Sequence, residues 1–228
     1  MEHAVSLSDI NLIAADGHYV LKDINLNIKK GEFVSITGHN GAGKTSFLKL
    51  INGLIKQTSG TIKIFGKDIN RNIKKHIGYI PQTNDFDNNI PVNVRQAIEI
   101  GLTAKSGIFK KFTEEDNSFV ENIAKKVGIF NLLENPIGKL SGGQKQKVSI
   151  ARVLAQEAEI LLLDEPLSNL DTNSRMDFMK ILQDVYKQSN LTILFVIHDL
   201  SFIPEYCNRR IVLNTGRLKE YKEKIFSI

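Results

Sequence analysis

Residues 38–45 fit the pattern G-x-x-x-x-G-K-[ST], in which a glycine-rich turn precedes a lysine and a hydroxyl side chain. An apolar run at residues 32–37 predicts a buried strand immediately before this turn, and residues 46–51 predict a helix immediately after it. Such a turn can direct successive backbone N–H groups onto phosphate oxygens at the positive end of the helix. The segment therefore predicts binding of a nucleoside triphosphate.

Two side chains of this loop have predicted roles at the phosphates. Lys44 adds a positive charge beside the β- and γ-phosphate oxygens, and the Thr45 hydroxyl is placed to ligate Mg²⁺. The candidate nucleotide-binding residues in and beside the loop are Gly38, Asn40, Gly41, Gly43, Lys44, Thr45 and Ser46. The expected ligand is therefore a nucleoside triphosphate together with Mg²⁺.

Composition narrows the class of protein. The 228 residues suffice for one sizeable domain, and a hydrophobic content of 42% with 24% charged residues is typical of a globular protein. Apolar runs such as residues 160–163 and 193–197 are too short to cross a bilayer, and we expect no secretory signal at the N-terminus. The single Cys207 excludes an internal disulfide framework and suits a reducing cytoplasm. The net charge of +5 permits an anionic partner, but the lysines are dispersed and we expect no nucleic-acid binding.

The order of predicted elements indicates an α/β fold. Residues 3–37 alternate apolar and polar side chains between turns, which predicts an antiparallel β layer, and residues 58–66 predict a further strand. A helical pattern covers residues 93–127. Helices and strands then alternate, at residues 143–156, 160–164, 172–188 and 192–197. This alternation predicts a parallel α/β core, in a single domain of residues 1–228 with a helical insertion at about residues 84–140.

Two further segments carry a family resemblance. The apolar residues 160–163 are followed by two carboxylates, and residues 140–144 read Leu-Ser-Gly-Gly-Gln, which is identical to the signature of the ATP-binding cassette family. Over nearly its whole length, the chain resembles the nucleotide-binding subunits of ABC transporters. The resemblance implies the cassette form of the P-loop NTPase fold. It also implies hydrolysis of ATP, on the cytoplasmic side of the cell membrane, by a subunit held there through a separate permease.

The resemblance also assigns roles to residues outside the loop. Asp164 resembles the Mg²⁺-associated aspartate, and Glu165 the general base that faces the attacking water. Gln82 resembles the glutamine that contacts Mg²⁺ and water, and His198 the histidine at the γ-phosphate. Tyr19 resembles the aromatic residue that stacks on adenine, although a tyrosine on a strand face is the alternative. The expected catalytic residues are Glu165, His198 and Gln82, and the expected magnesium ligands are Thr45, Gln82 and Asp164.

The signature predicts a second anion site. Ser141, Gly142 and Gly143 precede a predicted helix, so their N–H groups can bind negative charge, and Gln144 belongs to the same candidate site. In the family this site closes on ATP held by the opposite subunit. The resemblance therefore implies a head-to-tail homodimer with two ATP molecules between the subunits, and residues 168–171 resemble a loop at that interface.

Three residues depart from the usual family pattern. Asn169 replaces a small alanine, Ile197 precedes the histidine where threonine or serine is frequent, and Lys147 stands where arginine is usual. None is an expected phosphate ligand, so we expect them to affect fine coupling more than activity.

The cargo is inferred from two other segments. Residues 81–95 and 107–116 resemble the corresponding stretches of bacterial manganese, zinc and iron importers, in the part of the chain expected to dock on the permease. An importer of this kind also implies an extracytoplasmic solute-binding protein as a partner. A different cargo, through siderophore uptake or export of a lipid or other compound, is the open alternative. The short single cassette argues against a soluble family member of DNA repair or translation, and the presence of Glu165 and His198 argues against a binder without turnover.

Overall fold

The computed structural model describes residues 2–82, 91–106, 112–207 and 209–221. The strands are β1 His3–Ile13, β2 Tyr19–Lys29, β3 Phe33–Thr37, β4 Ser59–Ile64, β5 Lys67–Asp68, β6 Ile77–Ile80, β7 Ile160–Asp164, β8 Thr192–Val196, β9 Arg209–Asn214 and β10 Arg217–Tyr221. The α-helices are α1 Lys44–Ile51, α2 Arg71–Lys74, α3 Val94–Ser106, α4 Glu114–Lys126, α5 Gly142–Ala155 and α6 Thr172–Gln188. Short 3₁₀ helices cover Phe130–Leu132, Ile137–Lys139 and Leu200–Phe202.

The N-terminal strands form the predicted antiparallel layer. Its strand order is β2-β1-β4-β5, and Leu7 of β1 is paired with Leu26 of β2 and with Ile62 of β4. Buried and solvent-facing residues alternate along most of β2, so that Leu26 and Ile28 are buried between exposed neighbours. This alternation is what a sheet with one face on the core requires.

The second sheet is the predicted parallel core. Its strand order is β10-β9-β3-β8-β7-β6, with parallel pairing from β9 to β6 and an antiparallel hairpin between β9 and β10. Every residue of β3, β7 and β8 is buried, as expected for strands covered on both faces. The expectation that residues 3–37 all belong to the antiparallel layer was therefore wrong for Phe33–Thr37. That segment has no exposed face and pairs in parallel with β8 and β9.

Successive residues of β7 point to opposite faces of the parallel sheet and join two apolar clusters. Leu162 packs in the cluster that contains Phe47 of α1 and Leu26 of the antiparallel sheet. Leu161 and Leu163 pack in the cluster that contains α3, α4, α5 and α6. The parallel sheet is thus the middle layer, with α1 and the antiparallel sheet on one side and the other long helices on the opposite side.

Helix α5 packs at close range against two glycines of neighbouring elements. A Cβ atom on Gly78 of β6 would lie 2.2 Å from Val153 Cγ1, and one on Gly101 of α3 would lie 2.1 Å from the Arg152 carbonyl oxygen. Helices α3 and α4 lie within the segment predicted as a helical insertion, whose boundaries stay a prediction. Among the described helices, none is both long and apolar enough to span a membrane.

Candidate functional site

The loop between β3 and α1 requires glycine at two positions where the backbone of other elements comes close. Gly43 has φ +96°, and a Cβ atom there would lie 2.8 Å from the Val20 carbonyl oxygen. Gly38 has φ +154°, and its Cβ would lie 2.2 Å from the Leu213 carbonyl oxygen. The loop is therefore held between β2 and β9 in a conformation that L side chains do not readily adopt.

Lys44 is the first residue of α1, and its side chain is 5% exposed. Its Nζ donates hydrogen bonds to the carbonyl oxygens of Gly38 and His39, both at 3.0 Å. The same Nζ lies 3.8 Å from Glu165 Oε1. The ammonium group is therefore held in the centre of the loop by acceptors that phosphate oxygens could replace.

The carboxyl ends of β6, β7 and β8 meet at one edge of the parallel sheet, which is where α/β proteins bind ligands. Asp164 ends β7 and is 1% exposed. Its Oδ1 accepts from the Thr45 hydroxyl at 3.2 Å, and its Oδ2 accepts from the Tyr79 hydroxyl at 3.1 Å. Burial raises the pKa of Asp164, and these two hydrogen bonds oppose the shift because they favour the carboxylate.

Glu165 brings the three predicted catalytic residues together. Its Oε2 accepts from Gln82 Nε2 at 2.8 Å, and its Oε1 lies 2.6 Å from His198 Nε2. The backbone at Glu165 has φ +51°, which is uncommon for a residue with a side chain and turns it away from the strand direction. The carboxylate thus stands between residues that follow two different strands.

The loop and the strand ends enclose a cavity of about 540 Å³. It is lined by Val20, Asn40, Gly41, Gly43, Lys44, Thr45, Ser46, Gln82, Glu165 and His198. Most of the residues predicted to bind nucleotide or to act in catalysis therefore share one cavity. Gly38 and Asp164 do not line the cavity. Gly38 lies where the loop passes close to the Leu213 carbonyl, and Asp164 is bonded to Thr45, which does line it.

Tyr19 lies beside this cavity without being one of its lining residues. It begins β2, is 46% exposed, and precedes Val20, which does line the cavity. The Lys22 ammonium lies 4.7 Å from the centre of its ring. Stacking of Tyr19 on adenine stays a prediction.

The signature residues form the start of α5, away from the cavity. Ser141 is the N-cap, and its hydroxyl accepts from the Gln144 backbone N–H at 3.3 Å. The Gln144 side chain in turn accepts from the Ser141 N–H at 2.9 Å. Gly143 lets α5 approach α6, because a Cβ there would lie 2.7 Å from the Ser174 hydroxyl. A capping box therefore fixes the exposed N-terminus of this helix.

The three departures from the family pattern have identifiable environments. Lys147 forms an ion pair with Asp177 at 3.0 Å, which joins α5 to α6 through a single ammonium group. Ile197 is 4% exposed, and its N–H donates to the Ile36 carbonyl. Asn169 is exposed. None of them lines the cavity of about 540 Å³ beside the loop, which we call the phosphate cavity after its predicted ligand.

Two polar residues near the site were missed from the sequence. Tyr79 bonds Asp164, as described above. Gln146 is 4% exposed, and its Nε2 donates to the Pro166 carbonyl at 2.7 Å, directly after Glu165. Neither position carried a sequence signal, because a tyrosine in a strand and a glutamine in a helix are common.

A groove of about 640 Å³ lies on the other side of Gln82 and Asp164. Its lining includes Thr45, Lys49, Asn52, Leu54, Tyr79, Pro81, Gln82, Ile100, Gly101, Ala104, Arg152 and Asp164. Leu54 and Ile100 are 57% and 52% exposed, so this groove offers exposed apolar side chains beside polar and charged ones. The resembling segments predicted to report the cargo lie largely outside the described residues, at 83–90 and 107–111.

A protein-family model described as ABC transporter matches residues 21–168. The zinc uptake system ATP-binding protein ZurA of Listeria innocua is 36% identical over 203 residues, which are 87% of this chain and 78% of that protein. The manganese transport system ATP-binding protein MntB of Halalkalibacterium halodurans is 39% identical over 197 residues, which are 86% of this chain and 78% of that protein.

Solved structures share the same architecture. The structure of cbiO1 from Clostridium perfringens, part of the ABC transporter complex cbiONQ, has a TM-score of 0.83 at 32% identity and covers 97% of this chain and 89% of its own. The dimeric structure of MJ0796, a bacterial ABC transporter cassette, has a TM-score of 0.82 at 28% identity and covers 98% of this chain and 100% of its own. These similarities extend over both sheets and the helices.

Proposed function

Because the chain belongs to the ABC transporter family, in which it is an ATPase subunit coupled to transport, we propose that it energises import of a transition-metal ion such as manganese, zinc or iron. The observation that carries the ATPase chemistry is the Glu165 carboxylate, held by Gln82 and His198 beside the Lys44 ammonium. The cargo is supported by the two relatives, which are ATP-binding proteins of a zinc uptake system and of a manganese transport system.

ATP binding is assigned to the phosphate cavity. Lys44 exchanges the Gly38 and His39 carbonyls for β- and γ-phosphate oxygens, and the loop N–H groups complete the cradle. The adenine is assigned to the exposed ring of Tyr19, at the start of β2.

The donor set fits Mg²⁺. The Thr45 hydroxyl, the Asp164 carboxylate and the Gln82 amide offer oxygen ligands, and Thr45 Oγ1 and Asp164 Oδ1 lie only 3.2 Å apart. These three residues would hold the ion. When bound with ATP, Mg²⁺ would neutralise negative charge on the phosphates.

Hydrolysis is assigned to Glu165 as general base. Its carboxylate takes a proton from water as the water oxygen attacks the γ-phosphorus, and ADP leaves. Gln82 and His198 hold the two carboxylate oxygens before ATP arrives, so both must release part of that contact for water to enter. His198 then faces the γ-phosphate.

A second copy of the chain would complete the site. The Ser141–Gln144 end of α5 lies away from the cavity of its own chain. Its capping box already uses the Ser141 and Gln144 N–H groups, so we assign the Gly142 and Gly143 N–H groups to ATP held by a partner. The dimeric structure of the related cassette supports pairing of two copies, for which we propose a head-to-tail arrangement. Two ATP molecules then lie between two subunits.

The groove beside Gln82 is the proposed contact with the permease. Leu54 and Ile100 expose apolar surface at its rim, and Thr45 and Gln82 line both this groove and the cavity beside the loop. Binding there would anchor the subunit at the cytoplasmic side of the membrane. A transported metal also requires an extracytoplasmic solute-binding protein to deliver it.

The cargo is tested by cellular metal content, measured by mass spectrometry in a strain that lacks the chain and is grown with limiting manganese, zinc and iron. We expect a selective loss of one metal, which the parental chain restores and Glu165→Gln does not. Unchanged metal contents in a strain without a redundant importer would refute metal import and favour siderophore uptake or export.

A further inference from the structure

Tyr79 reaches from the edge strand of the parallel sheet to the acidic end of the next strand. In the parallel pairing of β6 and β7, Tyr79 lies opposite Leu162. Because side chains alternate along a strand, Asp164 shares the face of Leu162, on which α1 packs. The Tyr79 hydroxyl therefore meets Asp164 Oδ2, at 3.1 Å, on the side of the sheet where Thr45 lies.

Each oxygen of the Asp164 carboxylate has one hydroxyl donor. Thr45 donates to Oδ1 and Tyr79 donates to Oδ2, while the aspartate itself is 1% exposed. Thr45 must also turn oxygen lone pairs toward an ion that it ligates. Tyr79 lines the groove rather than the phosphate cavity, so we do not assign it as a ligand of the ion.

We propose that Tyr79 is a positioning residue for the Mg²⁺–nucleotide complex, whose hydroxyl fixes the rotation of the Asp164 carboxylate so that Oδ1 faces Thr45 and the ion. The inference rests on the proposed function, since it needs Asp164 beside Mg²⁺. Partners that orient a metal-binding carboxylate in this way typically change metal affinity by about 10- to 100-fold. The contribution should therefore be seen only when the nucleotide carries Mg²⁺.

Tyr79→Phe isolates this contribution because it removes the hydroxyl and keeps the ring in the groove wall. The dissociation constant of ADP, which the enzyme does not hydrolyse, is measured by calorimetry in excess Mg²⁺ and in excess EDTA. We expect Tyr79→Phe to weaken Mg²⁺–ADP binding by about tenfold or more, while binding in EDTA stays at the parental value. Titration of Mn²⁺ with ADP, followed by electron paramagnetic resonance, should show the same loss.

Tyr186→Phe is the matched control. Its hydroxyl also makes a partly buried hydrogen bond, to the Gly31 carbonyl at 2.8 Å, on α6 away from the site. We expect Tyr186→Phe to keep the parental ratio of the ADP affinities in Mg²⁺ and in EDTA. Thermal denaturation of both variants reports any general loss of stability.

The outcomes separate the inference from the function beneath it. If the parent depends on Mg²⁺ and Tyr79→Phe shows the same ratio, or loses affinity equally in EDTA, the role of Tyr79 is refuted and the proposed function stands. If the parent binds ADP equally with and without Mg²⁺, the magnesium assignment fails and Tyr79 falls with it.

Discussion

A substitution at Gly101, in the middle of α3, would test how closely α3 packs against α5. Intrinsic helix propensity favours alanine over glycine by about 0.8–1.0 kcal/mol, so Gly101→Ala should stabilise an ordinary helix position. In this structure, however, the new Cβ would lie 2.1 Å from the Arg152 carbonyl oxygen and 3.0 Å from Ala155 Cβ. The packing therefore predicts that Gly101→Ala lowers the free energy of unfolding instead of raising it.

The magnitude follows from the distance to a backbone atom. Close C···O contacts in proteins are about 3.3 Å, so the two helices would have to separate by about 1 Å. Overpacking costs about 1–3 kcal/mol, and the upper part of this range applies because the Arg152 oxygen cannot move away by a side-chain rotation. Subtracting the propensity gain of about 1 kcal/mol leaves the free energy of unfolding lower by about 2 kcal/mol. For a chain of this size the melting temperature should fall by about 4–8 °C.

The assay is thermal and urea denaturation of the purified chain. Ala104→Gly is the matched control, because residue 104 lies in the same helix and is exposed. This variant should lose about 1 kcal/mol of unfolding free energy through helix propensity alone. Gly101→Ala should lower the urea midpoint further than Ala104→Gly does. A Gly101→Ala variant that melts at or above the parental temperature would refute the close contact between α3 and α5.

Two further predictions concern the proposed general base and a partly buried arginine. Glu165→Gln should lower kcat by about 10²- to 10⁴-fold through loss of the general base; phosphate release at saturating ATP measures it, and a parental rate would contradict the assignment. Arg209→Leu leaves Glu32 and Glu220 without the guanidinium that bonds both, so the free energy of unfolding should fall by about 2–3 kcal/mol. Urea denaturation measures this loss, with the exposed Arg217→Leu as a control expected to cost under about 1 kcal/mol.

The sequence predicted the parts of the fold that local pattern determines. The strand–loop–helix unit around Lys44 and the alternation after Gly143 have the expected elements, because glycine-rich turns and apolar runs of strand length carry local information. The sheet to which Phe33–Thr37 belongs was predicted wrongly, since the five residues are adjacent in sequence to an antiparallel hairpin. The prediction of a buried strand at residues 32–37 was the signal for a parallel sheet, and the structure buries all of Phe33–Thr37. Strands β9 and β10 were not predicted at all.

The residues proposed to bind ATP and Mg²⁺ and to act in catalysis stand out in the sequence because their chemistry restricts the residue type. A lysine after a glycine turn or a carboxylate after a buried strand has few alternatives, so Lys44, Asp164 and Glu165 stand out in one sequence. The residues that orient these side chains can be identified only from distances in the folded chain. Tyr79 is 85 positions from Asp164, and only the register of β6 on β7 brings its hydroxyl to that carboxylate.

Helix α5 illustrates what such long-range packing adds to the mechanism. Its N-terminal end carries Ser141, which we assign to the ATP of a partner, while Gln146 one turn later bonds the Pro166 carbonyl beside the general base of its own chain. The same helix packs so closely on Gly78 and Gly101 that neither position has room for a Cβ atom, so we expect α5 to move together with β6 and α3. Because α3 also lines the groove proposed for the permease, we expect a movement of α3 at the permease to displace α5. Both Ser141 and Gln146 would then move with that helix.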